Sequence, residues 1–265
     1  MSRGTALKGA RVLITGGTRG IGRLMAAGAA ERGAEVTIWA RDAAFGEQVA
    51  GELGVRFLAV DVATPDAVAA AVAETGPVDV LVNNAGVIAG KPFVELTEDD
   101  IRRSYEVNVL AAYRVTQAFL PGMLQRNRGS VVNVASAAGL VGTTRMTDYS
   151  GTKHALVGFT ESLRAELRAQ RSAVRTLAVC PFYINTGMFD GVQTRFPRLL
   201  PILQPEDVAT RTLDAIERGA AKLVMPWSVN LLPVARVLPH PVFDAVVDFL
   251  GVNHTMDHFT GHRDQ

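Results

Sequence analysis

Ser136, Tyr149 and Lys153 stand as Ser, twelve residues, then Tyr-Ser-Gly-Thr-Lys. A free tyrosine ionises near pH 10, with a pKa of about 10, and is a poor base at neutrality. A lysine at i+4 shares the tyrosine's face of a helix. Its cation favours the phenolate and lowers the phenol pKa. Such a pair can donate a proton to a carbonyl oxygen or take one from an alcohol. Far upstream lies Thr15-Gly16-Gly17-Thr18-Arg19-Gly20-Ile21-Gly22, between a strand-like run and a helical one. Gly16, Gly20 and Gly22 permit a tight turn and close approach of the backbone to a pyrophosphate. The helix that follows presents free N–H groups and positive dipole to phosphates. One motif holds a dinucleotide and the other moves a proton, so the two together imply hydride exchange between a nicotinamide and an alcohol or carbonyl.

These residues need a scaffold, and the chain spells one out. Short β-branched, nearly uncharged runs at 11–15, 35–40, 55–60, 78–82, 131–135 and 174–179 read as strands buried on both faces. A further strand is expected at 222–225. Helical patterns alternate with them; in the first, Ile21, Leu24, Met25 and Ala29 recur at helix spacing until Gly33. This alternation predicts an α/β fold, a doubly wound parallel seven-stranded sheet with helices on both faces. Without repeat, linker or low-complexity tract, residues 1–265 read as a single domain. Residues 181–205 read as a long functional loop or two short helices, placed to meet substrate. Residues 226–265 form an apolar C-terminal extension broken by prolines.

Bulk properties narrow the function. The net charge of +1 gives no nucleic-acid footprint. Cys180 is the one cysteine, which excludes an internal disulfide and suits a reducing compartment. The first eight residues carry no apolar leader, and no window reaches the roughly 18 apolar residues of a spanning helix. The expected location is the cytoplasm, with peripheral membrane contact as a variant of it.

The glycine spacing, Gly-x-x-x-Gly-x-Gly, resembles that of the short-chain dehydrogenase/reductase family. Other signatures fall where that family has them: Asp61-Val62 after the third strand, Asn83-Asn84-Ala85-Gly86 after the fourth, Asn108 on the next helix, Ser136 after the fifth strand, and Tyr149 with Lys153. The resemblance runs from about residue 7 to 225. It implies a Rossmann fold, with the cofactor on Gly16, Thr18, Arg19, Gly20, Ile21 and Gly22. It further implies adenine contacts from Asp61 and Val62, an adenosine-ribose wall of Asn84, Ala85 and Gly86, and a sheet-bracing role for Asn83. Pro181, Ile184 and Thr186 would bracket the nicotinamide carboxamide. Tyr149 would be the general acid/base, Lys153 would tune it and bind the nicotinamide ribose, Ser136 would orient the substrate oxygen, and Asn108 would position Lys153 through backbone and water contacts.

An acidic residue ending the second strand would bind the ribose 2′-hydroxyl of NAD and repel a 2′-phosphate. Here Ala40 holds that place and Arg41 follows; Arg41 and Arg19 suit a phosphate through paired charged hydrogen bonds. NADP(H) is therefore the expected cofactor, with NAD(H) as the alternative.

Candidate substrate-lining residues are Ala138, Leu140, Val141, Met146, Tyr183, Met188, Phe189 and Val192. Most are apolar, which favours a lipophilic alcohol, ketone or aldehyde. Arg145 and Arg195 read as solvated loop charges. The stretches Pro181-Phe182-Tyr183-Ile184-Asn185-Thr186-Gly187-Met188-Phe189, Thr194-Arg195-Phe196-Pro197 and Leu203-Gln204-Pro205-Glu206, with Pro226-Trp227 and the broken apolar tail, resemble the branch holding retinol dehydrogenases, retinal reductases and 17-beta-hydroxysteroid dehydrogenases. Two departures stand out: Phe182 replaces the glycine common after that proline, and the N-terminal membrane anchor usual in the branch is not seen. Two other readings remain. One is a 3-oxoacyl thioester reductase, for which Arg102, Arg103, Arg126 and Arg128 would dock an acyl carrier; the other is a non-catalytic dinucleotide-binding scaffold. The resemblance implies a homodimer or homotetramer. His154, next to Lys153, reads as a surface histidine and Cys180 as a buried strand residue. His254, His258 and His262 have i, i+4, i+8 spacing but lack convincing metal-binding partners, so no metal is expected. The tail itself can pack on its own subunit, cover a partner or lie on a membrane; packing within the protein is the expectation, because its polar side is not lysine-rich.

Overall fold

A computed structural model describes residues 4–261. The apolar runs form β1 (Arg11–Thr15), then α1 (Gly20–Glu31), β2 (Glu35–Ala40), α2 (Ala43–Leu53), β3 (Arg56–Ala59), α3 (Pro65–Thr75) and β4 (Val80–Asn83). The chain continues through α4 (Glu98–Tyr105), α5 (Ala111–Gln125), β5 (Ser130–Val134), α6 (Thr147–Ala169), β6 (Arg175–Pro181), α7 (Pro205–Arg218) and β7 (Lys222–Met225). The strands lie in the order 3-2-1-4-5-6-7 and all pair in parallel. This is the expected seven-stranded Rossmann sheet, with strand ends within two residues of the sequence reading.

The period-2 alternation of each strand divides the core. Val12, Ile14, Val80, Val82, Val132 and Val134 join residues of α1, α2 and α7 on one face. Leu13, Leu81 and Val131 join α3, α5 and α6 on the other. Local chemistry sets the helix ends. Asp42 accepts from the Phe45 amide ahead of α2 (3.1 Å), Thr97 and Asp100 form a capping box on α4, and prolines open α3 and α7.

A buried polar ladder ties the two central strands to the helices that carry the site. Asn83 Nδ2 donates to Asn133 Oδ1 (2.8 Å) and Thr116 Oγ1 (3.0 Å), and Asn133 Nδ2 donates to Thr160 Oγ1 (2.8 Å). Asn83 thus braces the sheet, as the sequence implied.

The segment 181–205 forms a turn-rich loop, not two helices. Its ends are closed by a bridge between Ile184 and Leu203. Beyond β7, a 3₁₀ turn (Trp227–Leu231), α8 (Leu232–Ala235), α9 (His240–Phe249) and a second 3₁₀ turn (Val252–His254) make up the tail.

Asn133→Ala is expected to lower stability by about 2 kcal/mol, because it strands buried polar atoms on Asn83 and Thr160. Urea denaturation measures this; a loss under about 0.5 kcal/mol would mean that the ladder contributes little.

Candidate active site

Strand order reverses between β1 and β4, and the loops leaving them form the two walls of a crevice. Thr15, the last residue of β1, binds the walls together: its Oγ1 accepts from the amides of Asn84 (3.0 Å) and Ala85 (3.1 Å). Asn84 returns the contact through Nδ2, which donates to the carbonyls of Thr15 (3.0 Å) and Gly16 (3.1 Å). The walls are so close that a Cβ on Gly16, which has φ +64°, would stand 3.0 Å from Ala85 Cα. On Gly22 a Cβ would collide with the Gly16 carbonyl oxygen. The N-terminus of α1 has no side-chain cap and no acidic residue in its first turn. Its orphan N–H groups and dipole therefore remain for an anion. Thr186 stands across from it, 3.4 Å from where a Gly20 Cβ would be. This glycine cradle fits a dinucleotide pyrophosphate.

The other expected cofactor residues surround this cradle in various states. Thr18 and Val62 are buried, and Ile21, Asp61 and Gly86 are half-buried. Asp61 Oδ1 accepts from the Ala63 amide (3.0 Å). Pro181 ends β6, and Ile184 lies at the neck of the following loop. Arg19 and Arg41 are exposed, and the Arg19 guanidinium lies 4.9 Å from the Phe45 ring centroid.

Ser136 leaves β5 in extended conformation; its Oγ donates to Pro181 O (3.4 Å) and accepts from the Ala138 amide (3.1 Å). It also hydrogen-bonds Tyr149. Tyr149 and Lys153, one turn apart on α6, are only 5% and 3% exposed. Lys153 Nζ donates to Val134 O (2.8 Å) and stands 5.4 Å from the centroid of the Tyr149 ring. Asn108 sits in a π-helical turn (Glu106–Leu110), a widened turn that often marks a functional site. Its Oδ1 accepts from Val87 N (2.7 Å), and its Nδ2 donates to Val87 O (2.9 Å) and Thr152 Oγ1 (3.0 Å). Thr152 Oγ1 in turn donates to Tyr149 O (2.7 Å). Asn108 thus reaches α6 through Thr152, the neighbour of Lys153.

Burial shapes the proton affinities. It raises the Tyr149 phenol above the ordinary tyrosine range, against a hydrogen bond from Ser136 that lowers it. It pushes the Lys153 ammonium down to about 8. The expected lowering of Tyr149 by Lys153 is therefore not seen: the ammonium faces a carbonyl and the ring, and desolvation dominates both groups. Burial likewise raises the Cys180 thiol to about 11, which leaves it a packing residue.

Beside Ser136 opens a cavity with about 320 Å³ of space, part of it open to solvent. Ala138, Val141, Met146, Tyr183 and Phe189 line it as expected, joined by Ala137, Thr143, Phe182 and Val252. Val192 is buried in the surrounding apolar cluster. Leu140 and Met188 are not among the lining residues. Leu140 packs against the neighbouring apolar clusters instead. Met188 lies half-buried in the next loop, while its neighbour Phe189 packs edge-on to Tyr149, with centroids 6.0 Å apart.

Residues 10–195 match a family profile described as short chain dehydrogenase. This chain belongs to the short-chain dehydrogenase family. It is an oxidoreductase of a fold that binds a nicotinamide dinucleotide. This short-chain dehydrogenase is 36% identical over 266 residues to epidermal retinol dehydrogenase 2 of Mus musculus, covering 95% of this chain and 85% of that one. It is 36% identical over 248 residues to estradiol 17-beta-dehydrogenase 11 of Pongo abelii, covering 89% and 82%. A solved short chain dehydrogenase/reductase from Burkholderia phymatum in complex with NAD superposes with TM-score 0.77 at 27% identity, over 91% of this chain and 96% of that one. The resemblance to the retinol and 17-beta-hydroxysteroid dehydrogenase branch is thus borne out.

Several residues of this short-chain dehydrogenase escaped sequence reading. Thr15 and Thr152 act through hydrogen bonds that only the fold creates, although a hydroxyl ending an apolar strand was a signal for Thr15. Val252 and Thr255 reach the site from the tail, Thr255 by a 2.8 Å bond to the Tyr183 hydroxyl. The histidine spacing in the tail does not become a helical face. His254 lies in the 3₁₀ turn, with Nδ1 3.1 Å from Asp257 Oδ2; turns follow, and His262 falls outside the described residues. His154 is exposed on α6, as expected.

Lys153 yields a stability test. An ammonium whose folded pKa falls to about 8 from 10.5 destabilises the fold below pH 8, and that cost is relieved as pH rises towards 10.5. Lys153→Met is expected to raise Tm at pH 7, with an advantage over the parent that shrinks as pH climbs from about 8 to 10. A pH-independent difference in Tm would show that Lys153 is not held at low pKa.

Proposed function

We propose that this short-chain dehydrogenase interconverts a lipophilic primary or secondary alcohol and its aldehyde or ketone, with NADP(H) as the preferred cofactor. One observation carries the reading: Ser136 opens on a cavity whose lining residues include no charged side chain, next to a buried phenol. Nothing there would clamp a carboxylate or phosphate, and apolar surface would supply the binding. The names of the retinol and estradiol dehydrogenase relatives agree with a substrate of that polarity.

The nicotinamide, when bound along the glycine cradle, would supply or accept the hydride. The chain's residues do the rest. Ser136 Oγ holds the substrate oxygen beside the Tyr149 hydroxyl. Tyr149, kept protonated by burial, gives its proton to that oxygen during reduction and takes it back during oxidation. Lys153 holds positive charge near the ring, and the Asn108–Thr152 contacts keep this stretch of α6 in place. The convergence of these four residues favours an enzyme over a dinucleotide-binding scaffold.

The cofactor preference rests on charge. Arg19 and Arg41 are exposed near the glycine cradle, and Ala40 offers no carboxylate to repel a 2′-phosphate. The acyl-thioester reading is weaker, because its four arginines do not form one patch. Arg126 and Arg128 lie past the end of α5, near Asp79 (3.7 and 3.5 Å), whereas Arg102 on α4 bonds Glu98 (2.9 Å). The whole of α5, 15 residues and about 22 Å long, lies between the two groups in the chain.

Tyr149→Phe is expected to reduce turnover of apolar ketones by at least about a hundredfold while NADPH binding changes little. Steady-state kinetics with cofactor fluorescence titration measures both; a variant retaining a tenth of the activity would contradict the acid/base role. The parent should show higher kcat/KM with NADPH than with NADH, and Arg41→Asp with Arg19→Ser should reverse the order. A parent that prefers NADH would refute the cofactor assignment.

A further inference from the structure

The tail after β7 buries only one of its sides. Val229, Val247, Val252 and Met256 join the cluster around Tyr149 and Tyr183. The other side stays in solvent, with Trp227 70%, Val234 72% and Val237 84% exposed, and Leu231, Val242 and Phe249 also exposed. Packing within the protein, the expectation from sequence, therefore holds for half of the tail. Isolated exposed apolar residues are ordinary, but a contiguous stretch of them marks an interaction site. Within residues 227–243 the one formally charged side chain is Arg236.

Charge around this face has a sign. Arg195 lies over the Phe249 ring at 5.2 Å, so a cation borders the apolar surface. Arg198 is exposed next to exposed Leu199, whose carbonyl accepts from Ser228 of the tail (2.6 Å). On α9, Val242, Val246 and Phe249 share a side by i, i+4, i+7 spacing. At about 100° per residue Asp244 and Asp248 fall on roughly the opposite side, and Asp248 accepts from Asn253. Cations thus rim the apolar face, and the carboxylates of α9 point away from it.

The face is continuous with the site. Val252 lines the cavity, Thr255 bonds Tyr183, and a Cβ on Gly90 would collide with the Phe259 ring. The tail therefore spans the region between the loops after β4 and β6.

We propose that this face docks on an anionic lipid surface. Trp227, Leu231, Val234 and Val237 enter the interface, and Arg195, Arg198 and Arg236 meet the headgroups. The cavity then lies beside the lipid phase. No helix among the described residues is long and apolar enough to cross a membrane, so the contact is interfacial. The docking itself stands on exposed surface and charge; only its purpose, access to an apolar substrate, rests on the proposed function.

The full chain would be tested by flotation with phosphatidylcholine vesicles, with and without phosphatidylserine, and by tryptophan emission. Trp39 is fully buried and bonded to Thr75, so a vesicle-dependent blue shift reports Trp227. Co-flotation with the anionic vesicles and a blue shift are expected. Val234→Asp with Val237→Asp should cut the bound fraction by at least about tenfold. Arg195→Gln, Arg198→Gln and Arg236→Gln together should remove the preference for anionic lipid. Both variants should keep the parent's Tm and its turnover of a water-soluble ketone without vesicles. A parent that floats but turns over no carbonyl would refute the proposed reaction and leave the docking standing. Absence of flotation would overturn the docking. So would a lipid-independent oligomer that the two aspartates dissociate in sedimentation, since the face would then be covered by a second copy of the chain.

Discussion

A parallel sheet whose strand order reverses must leave a crevice at the reversal, because neighbouring strands there send their connections to opposite faces. In this protein the crevice lies between β1 and β4, and the remaining structure serves to hold it at one width. The Thr15 hydroxyl spans it by accepting two amides from the β4 side, and Asn84 answers with two bonds to carbonyls on the β1 side. The glycines follow from that closeness: a Cβ on Gly16 would press on the Ala85 backbone across the crevice, and one on Gly22 would collide with the Gly16 carbonyl and the Asn84 side chain. What looks like a ligand motif is first a packing necessity. The uncapped α1 terminus makes the same narrow turn a place for phosphate.

The proton-handling residues illustrate a second balance. Placing a phenol and an ammonium side by side in a buried region disfavours the charged form of each, so their affinities move apart: the tyrosine upwards and the lysine down to about 8. The fold tolerates the lysine because Val134 O accepts a hydrogen bond from it. It fixes the helix that carries both residues through Asn108, whose amide spans from the Val87 backbone to Thr152. The widened turn around Asn108 is a local irregularity, and the loop after β4 and α6 hold it from both sides.

The cavity is assembled differently. Its walls come from the turn after β5, from the loop after β6 and from the tail. These segments have little regular structure of their own and are held by contacts between residues far apart in the chain. The bonds Tyr183–Thr255 and Thr144–Asn253 join residues 72 and 109 positions apart. A pocket built this way can vary in shape while the catalytic helix stays fixed.

The amino-acid sequence by itself determined the sheet, its parallel sense, the glycine cradle and the Ser136, Tyr149 and Lys153 grouping. These depend on periodicity, backbone freedom at glycine and the i+4 spacing of a helix, which are properties of neighbouring residues. The same locality explains what it missed. Leu140 and Ala138 are near in sequence, yet only Ala138 lines the cavity, while Leu140 packs against the neighbouring apolar clusters. The expected effect of Lys153 on Tyr149 assumed contact in a solvated setting, and burial altered both groups instead. The roles of Thr15 and Thr152, the arrival of Val252 and Thr255 at the site, and the choice of which apolar tail residues are covered were decided only by the tertiary structure. Each is a meeting of segments distant in sequence, set by what else the folded chain places there.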